Sequence, residues 1–382
     1  MSSLEHIVLY TAYDLGRDSY ELEGGTRVCF DGYATYSVGG KITTQYGKAS
    51  VNNETFMLSL KSAKGFNNDL DLCSKALEDW NRLKFSGNPS SSASFFRAMY
   101  ERMRRRGDFF AHCTYSANMQ FDGKLTGGWI EAKKEGFHIG KIYHYDINQA
   151  YLNAALRGLP SRVFPLYSSA CSSGYIVIGK IRNAKKRPDI PKFLREREIV
   201  AVTSEELDTY GLQVFDVERG VSFDDMEVNI SPILFELAGQ IDPKVFKRCT
   251  QSFWGVFAGT DGVDVEYYSG DERKLWNRRR NSAWATLITR RVAMDVWRAM
   301  RDYGGIACYI DSILCENEMP TGTDTGDWKK VEEYTYGVYI KTAGLWCGIR
   351  ENKTIPKDFS KWTKHSGYSD GRTKKKGRSF SS

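Results

Sequence analysis

The run Ile306-Ala307-Cys308-Tyr309-Ile310-Asp311-Ser312-Ile313-Leu314 constrains this chain more than any other stretch, because it is apolar almost throughout and yet carries one acid. A carboxylate on such a segment is costly to bury unless it meets a cation or a set of hydrogen-bond donors. Gly304-Gly305 turns the chain into this run. A second acid has a similar setting: Lys141-Ile142-Tyr143-His144-Tyr145 reads as a strand that delivers Asp146 at its end. Asn148 to Arg157 then reads as a helix, terminated by Gly158 and Pro160. Two strand-borne carboxylates brought together across adjacent strands can hold two divalent ions about 3.5–4 Å apart, one activating a hydroxyl and one steadying a leaving phosphate oxygen. Taken singly, either acid could instead hydrogen-bond to a turn or pair with an arginine.

Composition narrows the class. With 382 residues and 41% apolar content, the chain can build two or three compact units around a sizeable core. The formal net charge of +7 permits a polyanionic partner without requiring one. Basic residues bunch at Arg102 and Arg104 to Arg106, at Arg278 to Arg280 and at Lys374 to Lys376. The eight cysteines stand singly with no Cys-x-x-Cys, which points away from zinc and from a disulfide framework and toward a reducing cytoplasm, that of a host if the source is viral. No apolar run approaches the roughly 18 residues that span a bilayer, and the N-terminus has no basic segment leading into an apolar one, so neither membrane insertion nor secretion is expected.

Along the chain, residues 1 to about 85 alternate short apolar segments such as His6 to Tyr10 and Arg27 to Phe30 with glycine-rich turns, which predicts a small β-containing unit. Ser86 to Ser92 has linker composition and marks a boundary; a helical pattern follows from Ala93 to Arg106. Pro243 opens a helix through Lys247 toward Gly255, and a long amphipathic helix is predicted from about Asn281 to Asp302. The last twenty or so residues, rich in Ser, Gly, Lys and Arg, read as a mobile basic tail.

Three segments in order resemble the palm motifs of family B DNA polymerases. Asp146-Ile147-Asn148-Gln149-Ala150-Tyr151 is similar to Asp-x-x-Ser-Leu-Tyr. Lys247 to Gly255 is similar to Lys-x-x-x-Asn-Ser-x-Tyr-Gly, with Gln251 for Asn and Trp254 for Tyr. Asp311-Ser312-Ile313 resembles the end of Asp-Thr-Asp-Ser-Ile, so that Asp311 falls on the metal-binding acid and Tyr309 replaces the other. Outside these, Leu125 to Gly128 resembles a Tyr-x-Gly-Gly element, Ile288 to Arg291 a stretch of the protein-primed phage enzymes, and Gly326-Asp327-Trp328 with Lys341 the later Gly-x-Trp and Lys-x-Tyr elements.

The resemblance implies an α+β fold: a right-hand polymerase palm, an antiparallel sheet backed by helices, with reduced fingers and a small thumb, preceded by a small N-terminal α/β-type unit. It divides the chain into an N-terminal unit (1–90), the entry to the palm with the first motif (91–165), a palm insertion and reduced fingers with the second (166–260), the palm with the third (261–325), a thumb (326–361) and a disordered basic tail (362–382). It implies a template-directed polymerase with Asp146 and Asp311 as catalytic metal ligands and the Ile147 carbonyl as a third, loaded with two Mg²⁺ ions for which Mn²⁺ can substitute. Asn148, Gln149, Ala150, Lys244, Lys247 and Gln251 are implied to bind the nucleotide, and Tyr151 to exclude a 2′-hydroxyl. Gly127, Gly128, Ser252, Trp254, Gly255, Arg290, Ser312 and Lys341 are implied to meet template or primer. The partners implied are primer-template DNA, deoxynucleoside triphosphates and replication proteins, with the chain itself a monomer. The pattern of a proofreading exonuclease is missing, since Phe30-Asp31-Gly32-Tyr33 lacks the Glu of Asp-x-Glu, and the interval between the first two motifs is short for the family. A primase or template-independent nucleotidyltransferase would use the same residues, and a degenerate DNA-binding relative would keep the fold alone.

Overall fold

The computed structural model describes residues 70–85, 93–106, 128–166, 174–223, 229–258 and 281–351, with short strand segments within 19–56 and at 112–113, 265–276 and 363–364. The chain forms two compact units, each gathered from separate stretches: residues 1–118, 155–164 and 223–285 in the first, 119–154, 165–222 and 286–382 in the second. Among the described residues no helix is long and apolar enough to cross a membrane.

The second unit is centred on a five-stranded antiparallel sheet. Its strands lie in the order Trp328–Tyr334, Ile142–Ile147, Ser312–Cys315, Gly305–Tyr309, Ile130–Ala132. Alternation sets the faces. Ile142 and Leu314 look toward a smaller sheet built from Gly136–Ile139, Gly337–Thr342, Leu345–Gly348 and Thr363–Lys364, and they form a core with Tyr334, Val338, Ile340 and Trp346. His144, on the same face as Ile142, meets the Trp346 ring edge-on at 5.2 Å. Thr363 and Lys364, inside the stretch read as a disordered tail, are paired with Trp346 and Leu345.

Elsewhere in this unit the strands Val200–Thr203, Gly174–Ile181 and Val214–Phe223 lie side by side. Thr203 caps the helix Ser204–Tyr210: its hydroxyl accepts from the Glu206 N–H at 3.1 Å, and the Glu206 carboxylate accepts from the Thr203 N–H at 3.0 Å. Such a reciprocal cap contributes about 1 kcal/mol. The long helix is observed at Ser282–Asp302, with Asn281 Oδ1 accepting from the Trp284 N–H at its start. Arg290 and Arg291 on this helix are tied to the capped helix: Arg291 grips Glu205, with its closest contact at 2.6 Å, while Arg290 lies 3.6 Å from Glu206.

The first unit contains the helices Leu70–Arg82, Ala93–Arg106, Ser231–Ala238 and Pro243–Ser252. Aromatic rings fill its centre: Phe96 packs on Phe253 at 4.9 Å and on Phe257 at 5.8 Å, and Phe257 meets Trp284 at 4.9 Å. Asp242 caps the Pro243–Ser252 helix by accepting from the Lys244 N–H at 2.8 Å. The strands expected early in the chain are present in pairs between Ser19 and Phe56. The helix Leu70–Arg82 is an addition to that reading. Its apolar positions Leu72, Ala76 and Trp80, with Leu83 just beyond its end, recur at helical spacing and are buried. His6 to Tyr10 and Ser86 to Ser92 lie outside the described residues.

Candidate active site

Asp146 sits one residue before the end of the strand Ile142–Ile147, which runs through the sheet between Trp328–Tyr334 on one side and Ser312–Cys315 on the other. Register places Ser312 and Lys329 directly opposite it, so that Lys329, Asp146 and Ser312 stand abreast on three strands. Side chains so paired share a face of the sheet. One further turn of chain brings in Asp311. Tyr309 pairs with Ser312, which leaves Ile310 and Asp311 as the two central residues of a tight hairpin. The expected apolar run is therefore two strands and a turn.

That turn is unusual. Ile310 has φ +62° while Asp311 has no positive φ, the pattern of a type II′ hairpin turn, whose first central position favours glycine. A β-branched side chain is strained there. Several contacts hold it in place. The Ile310 N–H donates to the Trp129 carbonyl at 2.6 Å, and the Asp311 carbonyl accepts from the Ile147 N–H at 2.9 Å. The Ser312 hydroxyl donates to the Tyr309 carbonyl at 3.1 Å. Gly128 leaves room for the Ile310 side chain, since a Cβ on it would stand 2.8 Å from Ile310 Cγ2. The bond from Ile147 to Asp311 fixes the hairpin tip against the residue that follows Asp146.

Electrostatics couples the two acids. Burial, and then the charge of Asp146, push the Asp311 carboxyl up to about 7, with Lys329 acting in the opposite direction. Lys329 Nζ is 2.7 Å from Asp146 Oδ2. Tyr151 is half-buried, and burial followed by the charges of Asp311 and Tyr309 raises its phenol well above the ordinary value. Two mutually repelling carboxylates in a partly dry setting form a donor set that a hard divalent cation relieves. Among the described residues no cluster of three His, Cys, Asp or Glu side chains is formed. Two carboxylates alone are the kind of set with which Mg²⁺ is held when water and phosphate oxygens complete its shell.

The chain that follows Asp146 is closed over by the connection between the strands Ser312–Cys315 and Trp328–Tyr334. The Asn148 N–H donates to the Asp327 carbonyl at 2.8 Å, its carbonyl accepts from the Gly326 N–H at 2.8 Å, and its side-chain amide donates to Gly322 O at 3.2 Å. Gln149 has φ +51° and leads into the helix Ala150–Leu156, shorter at both ends than the one expected from Asn148 to Arg157. The N–H of Asn148, a residue implied to bind the nucleotide, is thus already engaged within the protein.

The remaining sequence-derived positions divide. Lys244, Lys247 and Gln251 are exposed on the Pro243–Ser252 helix of the first unit at spacings that place them on one face, and Gln251 Oε1 accepts from Arg248 at 3.1 Å. Ser252 closes that helix, and Trp254 and Gly255 after it are half-buried. Lys341 is exposed on the strand Gly337–Thr342, and Gly127 lies outside the described residues. Two positions correct the reading. Arg290 is buried, its guanidinium donating to Ala201 O at 3.1 Å and lying 4.0 Å over the Phe193 ring, so it is not at a surface that meets a phosphate backbone. Ser312 is fully buried and braces the hairpin. Lys329 escaped the sequence reading because its relation to Asp146 depends on strand register across a long stretch of chain, and no local pattern signals it.

No protein-family model matches the chain, and no curated protein is similar to it in sequence. Solved structures are similar in fold. Phi29 DNA polymerase complexed with primer-template DNA has a TM-score of 0.53 at 14% identity, over 79% of this chain and 64% of that one. An orthorhombic crystal form of the same enzyme has a TM-score of 0.54 at 14% identity, over 93% and 67%. The complex with single-stranded DNA has a TM-score of 0.54 at 13% identity, over 78% and 61%. The chain thus spans about 61–67% of the length of these structures. The fold, a mixture of helices and antiparallel sheet, is polymerase-like.

Proposed function

We propose that the chain is a DNA-directed DNA polymerase that adds deoxynucleotides to a primer 3′ end without proofreading, with Asp146 and Asp311 as its catalytic carboxylates. One observation carries the reading. Two electrostatically coupled acids, one at a strand end and one in a strained hairpin turn, are fixed beside each other on the central sheet of a polymerase-like fold. Acids that repel each other in a partly buried place, where a neutral residue would be more stable, mark a functional site.

In the proposed reaction the primer 3′ oxygen bonds to the α-phosphorus of the incoming nucleotide, and the bond to the β-phosphate breaks to release pyrophosphate. Mg²⁺ held by Asp146, Asp311 and the Ile147 carbonyl supplies, when bound, stabilisation of the negative charge that builds on the attacking and leaving oxygens, and Mn²⁺ can replace it. The chain's own part is positioning. The hairpin keeps the Asp311 carboxylate next to Asp146, and Tyr151, electrostatically coupled to Asp311, is assigned the place under the sugar where a 2′-hydroxyl is refused. The resemblance of the second motif assigns Lys247 and Gln251, with Lys244 just before them, to the triphosphate and Ser252, Trp254 and Gly255 to primer and template, and the flanking Tyr-x-Gly-Gly-like and Lys-x-Tyr-like elements assign Gly127 and Lys341 there as well. Primer-template DNA and deoxynucleoside triphosphates are the proposed partners.

A second reading, a DNA-binding relative without catalysis, draws on the Lys329–Asp146 ion pair and on Tyr309 in place of an acid. Extension of a labelled primer on a DNA template with Mg²⁺ separates the two. The polymerase reading expects template-directed extension by the wild type and none by Asp146→Asn. Binding of primer-template with no extension under Mg²⁺ or Mn²⁺ would leave the second reading.

A further inference from the structure

We infer that Lys329 is a positioning residue that competes with divalent metal for Asp146, so that loading this site requires the lysine to be displaced; the inference rests on the metal-binding reading of Asp146 and Asp311. Three observations carry it. The first is contact: the ammonium lies 2.7 Å from Asp146 Oδ2, on the residue directly opposite Asp146 in the neighbouring strand. A cation bound through that oxygen and the ammonium cannot both occupy the same direction, and their like charges oppose each other at this range.

The second is the contrast with the adjacent lysine. Lys330 bonds to Glu318, approaches Glu333 at 3.4 Å and lies over the Tyr143 ring at 5.1 Å. Alternation along the strand turns the two lysines to opposite faces. Lys330 has two acids at the surface, whereas the carboxylate given to Lys329 is Asp146 of the proposed site.

The third is what can move. Backbone bonds hold the chain on the near side of Lys329, from Asn148 N–H to Asp327 O at 2.8 Å and from Gly322 N–H to Trp328 O at 3.0 Å. The strand cannot withdraw without breaking them. The Lys329 side chain, 46% exposed against 26% for Asp146, has solvent to swing into on its flexible stem. Displacement of the ammonium alone is therefore the available route.

The test uses the full chain, without DNA or nucleotide, at fixed pH and ionic strength, with Mn²⁺ as the probe and free Mn²⁺ read by electron paramagnetic resonance. Lys329→Met, which keeps the stem and loses the charge, is expected to bind Mn²⁺ roughly tenfold more tightly than the wild type, while Lys329→Arg, which keeps the charge, stays close to it. Equal or weaker Mn²⁺ binding by Lys329→Met, or no measurable binding by either protein, overturns the inference. Asp146→Asn and Asp311→Asn separate that failure from a failure of the site itself. If both bind Mn²⁺ as the wild type does, the carboxylates are not the metal site and the role of Lys329 falls with them. If both lose the ion while Lys329→Met matches the wild type, the site stands and only the competition is refuted.

Discussion

Asp311 occupies the second central position of a two-residue turn, with its carboxyl raised to about 7 by burial and by Asp146. An unfolded chain holds an aspartate near its ordinary value of 3.8. Between the two values the folded protein binds more protons than the unfolded chain, so its stability falls as pH rises through that window. In chelator, Asp311→Asn should therefore melt a few degrees above the wild type at pH 8, with the gap narrowing as pH falls below about 7 and closing only near about pH 4. A gap that is constant with pH would deny the raised carboxyl. Arg290 supplies a contrasting case on the adjoining helix. The family resemblance implies a template or primer contact for it, yet it is buried against Glu206, whose carboxyl burial pushes upward. Arg290→Met removes the partner of a buried acid and should cost about 3–5 kcal/mol, read as a lower urea midpoint. Its affinity for primer-template, measured under conditions where it is folded, should be unchanged. A loss of affinity at unchanged stability would restore the phosphate contact that burial denies.

At the scale of elements, the strand Ile142–Ile147, the helices Ala93–Arg106 and Ser282–Asp302 and the turn glycines were legible, because alternation, helical spacing and capping are local properties. The hairpin was only half legible. The apolar run announced strands, but an isoleucine where a II′ turn favours glycine gives no local sign of a turn, and tertiary contacts impose it. Gly128 is one of those contacts. Its sequence neighbourhood suggested nucleic acid; its position shows close approach to Ile310. Gly128→Ala should cost about 1–3 kcal/mol through overpacking, read by urea unfolding. It should also lower extension by more than the loss of folded protein explains, since the displaced residue precedes Asp311. Wild-type extension alongside wild-type stability would show that the close approach does not matter. Lys329 and the engaged Asn148 N–H were not legible at all, because both follow from which strand lies beside which.

At the scale of the molecule, the two units are each gathered from separate stretches of the sequence. The fold is shared with a DNA polymerase at 13–14% identity, a level at which the backbone is comparable and the chemistry has to be argued from Asp146, Asp311 and their surroundings. The net charge of +7 and the arginine clusters predict that affinity for primer-template falls steeply as salt rises, measured by fluorescence anisotropy across a salt series. A flat response would argue against phosphate contacts. The most direct test of the account is single-nucleotide incorporation followed by rapid quench, with wild type and Asp311→Asn each pre-bound to primer-template and started with Mg²⁺ and the templated nucleotide. The account predicts incorporation of that nucleotide by the wild type and a rate at least about a thousandfold lower for Asp311→Asn, the loss expected when a group stabilising transition-state charge is removed. Incorporation by Asp311→Asn at the wild-type rate would contradict it.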